Sequence, residues 1–72
     1  MKKFKKDCLE FLKTGRKQGM FNAGPTVNLN AVLGCAINFA HDRLDDVYSF
    51  ECVYEACDEV TEEFGSWVLE GN

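Results

Sequence analysis

The spacing of apolar residues in the last third of the chain constrains the fold more than any other feature. Six of them follow one another at steps of three, four, three, four and three: Phe50, Val53, Cys57, Val60, Phe64 and Trp67. Apolar residues that repeat about every 3.5 positions form a seam along one side of a helix. We therefore predict a helix over about residues 46–69 whose apolar seam, as we call these six residues, faces a core.

Three other features of this segment bear on the ends of the helix and on its type. Asp45, Asp46 and Ser49 are each candidates to cap its N-terminus, because short polar side chains accept hydrogen bonds from the first free N–H groups. Gly65 is expected to fray the helix or end it early. Residues 47–54 are also rich in strand formers, so a short β segment there is the structural alternative.

The acidic residues of this segment are sorted away from the apolar seam. At about 100° per residue they share an arc of roughly 140° on the opposite side. That arc holds Glu51, Glu55, Asp58, Glu59, Glu62, Glu63 and Glu70. Like charges four residues apart destabilise a helix by about 0.2–0.5 kcal/mol per pair, and no Lys or Arg lies among them. Such an arc is typical of a solubilising surface or of a docking surface for a basic partner.

The start of the chain predicts a helix of opposite charge, over residues 3–17, with Gly19 as its stop. Phe4, Cys8, Phe11 and Leu12 fall on one face, within about 100° of each other. The opposite arc carries the bases Lys2, Lys5, Lys6, Lys13, Arg16 and Lys17. Residues 1–17 hold seven bases and two acids (+5), and residues 18–72 hold one base and ten acids (−9). Both charged arcs are expected to face outward.

The middle of the chain predicts a nearly uncharged helix over residues 28–42. Gly24-Pro25 breaks any helix before it, and Asn28 is in place to cap it. Its apolar residues recur at helical spacing: Leu29, Val32, Leu33, Ala36, Ile37, Ala40 and Leu44. A helix with so little charge is expected at the centre of the fold, covered on more than one side. The three segments together predict an all-α, antiparallel three-helix bundle, a single domain over residues 1–72.

The sequence contains no pattern that indicates catalysis, a metal or a cofactor. Among Cys8, Cys35, Cys52 and Cys57, only the last two are close in sequence, and a step of five places them about 140° apart on a helix. Zinc ligands usually come in pairs separated by two to four residues. His41 and Asp42 diverge because they are adjacent on a helix, so they do not form an acid–base dyad. We therefore expect a protein that is not an enzyme and binds neither metal nor cofactor.

The chain also carries no secretory or membrane-spanning pattern. Asp7 and Glu10 interrupt the run that would follow a basic signal start, and no stretch approaches the ~20 apolar residues of a membrane span. We expect a cytoplasmic protein with reduced thiols. A domain this small is marginally stable alone, which favours a partner or a dimer.

The functional hypothesis is a non-enzymatic module that docks an acidic helix on the basic surface of a protein partner. The predicted binding residues are Glu51, Glu55, Asp58, Glu59, Glu62 and Glu63, with Met20 and Phe21 as an apolar anchor. Small size, acidity and the lack of a catalytic set are typical of virus-encoded inhibitors, which work in the host cytoplasm on nucleic-acid-binding or defence proteins. This likeness is one of type and rests on no family motif.

Two alternatives remain open from the sequence. The protein could be a dimeric nucleic-acid-binding regulator that contacts phosphates through the basic arc of residues 2–17, although the net charge of −4 argues against this. It could also be a structural protein that self-associates through its oppositely charged ends.

Overall fold

The computed structural model describes residues 1–21, 27–44 and 48–72, which form three α-helices packed against one another. The helices are α1 (Lys2–Lys17), α2 (Leu29–Arg43) and α3 (Phe50–Leu69). Lys5 of α1 contacts Glu59 of α3, and Lys13 lies over Trp67, so α1 and α3 run in the same direction. The start of α2 lies against the end of α3, and the end of α2 lies beside the start of α3, so α2 runs in the opposite direction. The prediction of an all-α three-helix bundle is confirmed.

The alternative of a β segment is wrong for the described part of residues 47–54. Tyr48 and Ser49 are not in a strand, and α3 begins at Phe50. The described residues contain no strand elsewhere. Residue 47 lies outside the described residues, as do Asp45 and Asp46, the other two candidate caps.

Polar caps set the starts of α2 and α3. The Asn28 side chain accepts a hydrogen bond from the Asn30 N–H at 3.0 Å, which confirms the predicted cap. Ser49 Oγ accepts one from the Cys52 N–H at 3.2 Å. The predicted start of the third helix at residue 46 was therefore too early. The predicted break at Gly24-Pro25 lies outside the described residues.

Replacing Ser49 with alanine should lower the free energy of unfolding by about 1 kcal/mol, because it leaves a first-turn N–H of α3 without its acceptor. Urea unfolding followed by far-UV circular dichroism measures this loss. The matched control is Ser66→Ala, an exposed serine inside α3, which should be neutral or slightly stabilising because alanine has the higher helix propensity. Equal losses in the two variants would show that Ser49 does not act as a cap.

The core is drawn from all three helices. Its buried apolar side chains are Phe4, Cys8, Leu12, Val32, Ala36, Ala40, Ala56, Cys57, Val60, Phe64 and Val68. Small alanines on α2 and α3 allow these two helices to approach closely. Phe11, predicted on the core face of α1, instead lies at its margin, where it is 39% exposed and its ring stacks on Phe39 at 4.8 Å between centroids.

The apolar seam is only partly buried. Its centre, from Cys57 to Phe64, is covered, and Trp67 is half-buried. Phe50, however, is 69% exposed. Phe50 is the first residue of α3, where it borders a pocket with Ile37 and His41 of α2 but leaves most of its side chain in solvent. Thr61, outside the predicted seam, is buried instead, and its hydroxyl donates to the Cys57 carbonyl at 2.8 Å.

Gly65 neither frays nor ends α3, contrary to the prediction, because the helix continues to Leu69. A Cβ atom at Gly65 would lie 3.1 Å from Leu29 Cδ2. Because glycine has no side chain, Gly65 leaves room for Leu29 of α2 to pack against α3. The packing between the helices compensates for the lower helix propensity of glycine, which is about 1 kcal/mol relative to alanine.

Candidate interaction surfaces

The structure places the six predicted acidic residues on the exposed side of α3. We call this set the acidic surface: Glu51, Glu55, Asp58, Glu59, Glu62 and Glu63. The continuous helix from Phe50 to Leu69 holds all six in fixed relative positions. Their side chains point away from the core because the buried positions of α3 take up the opposite side of the helix. The arrangement can present a dense row of carboxylates to a large partner.

One edge of the acidic surface meets α1. Lys5 Nζ lies 2.6 Å from Glu59 Oε2, and this hydrogen bond and the nearby carboxylate charge raise the pKa of Lys5. Both side chains face outward, as predicted, but at this edge the two charged arcs are in contact with each other. Because both side chains are largely exposed, the pair adds little to stability, and its main effect is to neutralise part of the charge of Glu59.

Two more bases of the α1 arc make contacts, one with α3 and one with the C-terminal residue. Lys13 Nζ lies 5.3 Å from the centre of the Trp67 ring, within the range of a cation–π interaction. Arg16 Nε donates to the Asn72 carbonyl at 2.7 Å. With Lys5, these contacts engage three of the six predicted phosphate-contacting bases. Lys2, Lys6 and Lys17 are exposed.

Met20 and Phe21 separate in the structure. Phe21 is half-buried, and its ring centroid lies 5.4 Å from that of Phe64, on the core side of α3. Met20 remains 48% exposed and lines a shallow groove beside Phe11 and Phe39, between α1 and α2. The structure therefore does not join this pair to the acidic surface in one patch.

A second surface, which the sequence pattern did not reveal, runs along the boundary between α2 and α3. We call it the apolar α2–α3 face, formed by Leu29, Leu33, Ile37, Phe50, Tyr54 and Leu69. Five of the seven large apolar side chains that are exposed among the described residues border it: Leu29, Tyr48, Phe50, Tyr54 and Leu69. The signal in the sequence was the row Leu29, Leu33, Ile37 at steps of four, which helical spacing alone assigns to the core.

Among the described residues, the buried thiols and the titratable end of α2 lie outside the acidic surface. Cys8 is fully buried, and this burial, with a smaller effect of the neighbouring Cys57, raises its thiol pKa to about 12. Burial raises the pKa of Cys57 as well. His41 is exposed at the end of α2, and the Arg43 guanidinium lies 5.1 Å above the Phe39 ring. The described residues hold no cluster of three or more His, Cys, Asp or Glu that could bind a metal.

Comparison of the chain with protein-family models, curated proteins and solved structures finds no significant match. Within the described ranges, no helix has the length and apolar character needed to cross a bilayer. The acidic surface and the apolar α2–α3 face are therefore the features from which a function can be inferred.

Proposed function

We propose that this protein is a non-enzymatic binding module that docks the acidic surface of α3 on a basic surface of a protein partner. The observation that carries the proposal is the placement of six exposed carboxylates along one rigid helix, with no Lys or Arg in its sequence. The proposed setting is the cytoplasm, where a partner of this charge would be met.

A preformed row of charge on a helix has two physical advantages for docking. Complementary charge steers the partner during diffusion and raises the association rate. The carboxylates are also carried by an ordered helix, so little backbone entropy is lost on binding. The first turn of α3 is stabilised by the Ser49 cap, which keeps the row ordered up to Glu51.

The spacing of the charges supports a partner that normally binds nucleic acid. From Glu51 to Glu63 the helix rises roughly 18 Å, at about 1.5 Å per residue. Six carboxylates over that length give one charge per about 3.6 Å, and one strand of duplex DNA carries one phosphate per about 3.4 Å of axis. A surface that binds one array can bind the other, and the protein would then act as an inhibitor by occupying a nucleic-acid groove.

Nucleic-acid binding by α1 draws less support. Lys5, Lys13 and Arg16 are already in contact with α3 or the C-terminal residue. A duplex bound along α1 would also approach the edge of the acidic surface at Glu59. Self-association through opposite charges draws less support for a similar reason, because Lys5 already pairs with Glu59 within one copy.

Reversing three charges in the variant Glu55→Lys/Asp58→Lys/Glu62→Lys should weaken partner binding more than about tenfold, because attraction becomes repulsion at three positions. The full-length protein serves as bait in lysate of its source organism, and mass spectrometry identifies the partner. Titration of that purified partner with each variant, at several salt concentrations, then gives the affinities. All three positions are exposed, so circular dichroism should report an unchanged fold.

The matched control reverses three exposed charges on α1, in the variant Lys2→Glu/Lys6→Glu/Lys17→Glu. This variant should keep the affinity for the partner, because α1 is not the proposed docking surface. Unchanged affinity in the α3 variant would refute the docking proposal. A loss confined to the α1 variant would instead favour binding through the basic arc.

A further inference from the structure

We infer that the apolar α2–α3 face is a groove for a basic, amphipathic helix of the protein partner. This inference rests on the proposed function, since the acidic surface forms one margin of the groove. It adds the class of partner segment that binds: a helix with apolar residues on one side and Lys or Arg beside them.

Apolar side chains that extend into solvent line both ends of the groove. At one end Leu69 is 71% exposed and lies beside Leu29 and Gly65. At the other end Phe50 is 69% exposed, and its ring centroid lies 6.1 Å from that of Tyr54. On α2, Ile37 lines the Phe50–Tyr54 end, and the half-buried Leu33 lies one turn closer to Leu29. Large side chains left this exposed on one boundary are typical of a protein-binding site.

The charges next to this apolar floor carry a single sign. Glu62 borders the Leu29–Leu69 end, and Asp58 occupies the same side of α3 one turn earlier. The helix α2 adds no acid or base from Leu29 to Ala40, and Arg43 lies over the Phe39 ring, on the side of α1. His41 is the one titratable group of α2 that borders the groove at its Phe50 end. The apolar residues of the groove therefore favour apolar groups of a ligand, and the carboxylates beside them favour its cations.

A second copy of this chain does not satisfy both requirements. If two copies met through this face about a two-fold axis perpendicular to α2 and α3, their acidic margins would come together and repel. About a two-fold axis parallel to these helices, each acidic margin would instead face α2 of the other copy, which has no Lys or Arg from Leu29 to Ala40 to pair with it. The α1 helix of a second copy offers exposed bases, but Phe4 and Leu12 are buried in its own core, and its one exposed large apolar residue, Phe11, is stacked on Phe39. A helix that combines exposed apolar and basic residues fits both the floor and the margin.

The groove also has a suitable length. From Phe50 to Leu69 the helix α3 rises roughly 28 Å, at about 1.5 Å per residue. A bound helix of about 18 residues has nearly the same length. Such a helix could place apolar residues at both ends of the groove at the same time.

The test uses two synthetic helical peptides of about 18 residues with identical charge. One has leucine and lysine at amphipathic spacing, and the other has alanine in place of each leucine. The full-length protein should bind the Leu/Lys peptide at least about tenfold more tightly than the Ala/Lys peptide, measured by fluorescence anisotropy. In the variant Phe50→Ser/Leu69→Ser this difference should fall to within about twofold, with the affinity for the Ala/Lys peptide unchanged.

Two control variants distinguish binding in the groove from binding at the α1–α2 boundary and from attraction by charge alone. Met20→Ser removes an exposed apolar side chain between α1 and α2, and it should leave the preference for leucine intact. Glu55→Lys/Asp58→Lys/Glu62→Lys should weaken both peptides together, since it changes charge and not the apolar floor. Because Phe50 and Leu69 are exposed, the double variant should keep the fold, which circular dichroism checks.

Equal affinity for the two peptides in the wild-type protein would overturn the groove and leave the docking of the acidic surface standing. A preference that is lost in Met20→Ser, and kept in Phe50→Ser/Leu69→Ser, would move the apolar site to the boundary of α1 and α2. Light scattering adds a third outcome. A stable dimer that Phe50→Ser/Leu69→Ser dissociates would make a second copy the occupant and overturn the inference.

Discussion

Phe64→Ala should remove a large part of the stability of the folded state. Phe64 is fully buried, and its ring centroid lies 5.4 Å from that of Phe21 and 5.8 Å from that of Trp67. Truncating a buried phenylalanine to alanine costs about 3–5 kcal/mol, because the cavity fills only partly. At about 0.05–0.15 kcal/mol per residue, a chain of this length has a total stability of roughly 4–11 kcal/mol. Urea and thermal unfolding followed by circular dichroism should show a largely unfolded or strongly destabilised variant.

Phe50→Ala is the matched control, because it makes the same chemical change on the same apolar seam. Phe50 is 69% exposed, so this variant should stay within about 0.5 kcal/mol of the wild type. A loss at Phe50 as large as that at Phe64 would mean that the whole seam is buried in solution. The contrast between the two variants therefore measures how far the core extends along α3.

The same two phenylalanines show what the sequence could and could not predict about the fold. Periodicity places both on one side of α3, and that side does pack on the core. Periodicity carries no information about which residues of the neighbouring helices contact each position, so it cannot show that Phe50 is left exposed. Burial of Phe64 depends on Phe21, which lies far away in sequence and before α2 begins. The local sequence pattern determines that this segment is helical and which of its sides faces the core. How much of each side chain is buried depends on tertiary packing.

The same distinction between local pattern and tertiary packing applies to the candidate surfaces. The acidic surface was predictable, because six acids on one arc of a helix remain on one arc wherever that helix packs. The contact between Lys5 and Glu59 was not, because it depends on the rotation of α1 about its axis relative to α3. The apolar α2–α3 face was missed because Leu29 and Leu33 share their spacing with true core residues. Only the position of α3 shows which apolar residues of α2 lie at the boundary and which lie inside.

The second large effect is expected at alkaline pH, and it originates in the buried thiol of Cys8. Burial raises the pKa of this thiol from its ordinary value of 9.0 to about 12. Below about pH 9 the thiol is protonated in both states, so this group gives stability no pH dependence there. Between about pH 9 and pH 12 the unfolded chain releases the proton and the folded chain retains it, so stability falls as pH rises. The fall is about 1.4 kcal/mol per pH unit, which is up to roughly 4 kcal/mol over the full range.

Urea midpoints measured between about pH 8 and pH 11 should therefore drop steeply for the wild type and less steeply for Cys8→Ala. The pKa values of Lys5 and Cys57 are also raised, so the stabilising contribution of each group also decreases as pH rises. A smaller decrease in stability with pH should therefore persist in Cys8→Ala. Cys52→Ala removes an exposed thiol and should retain the steep fall. Parallel pH dependences for the wild type and Cys8→Ala would mean that water reaches this thiol in the folded state. That result would contradict the close packing of α1 against α3 around Cys8.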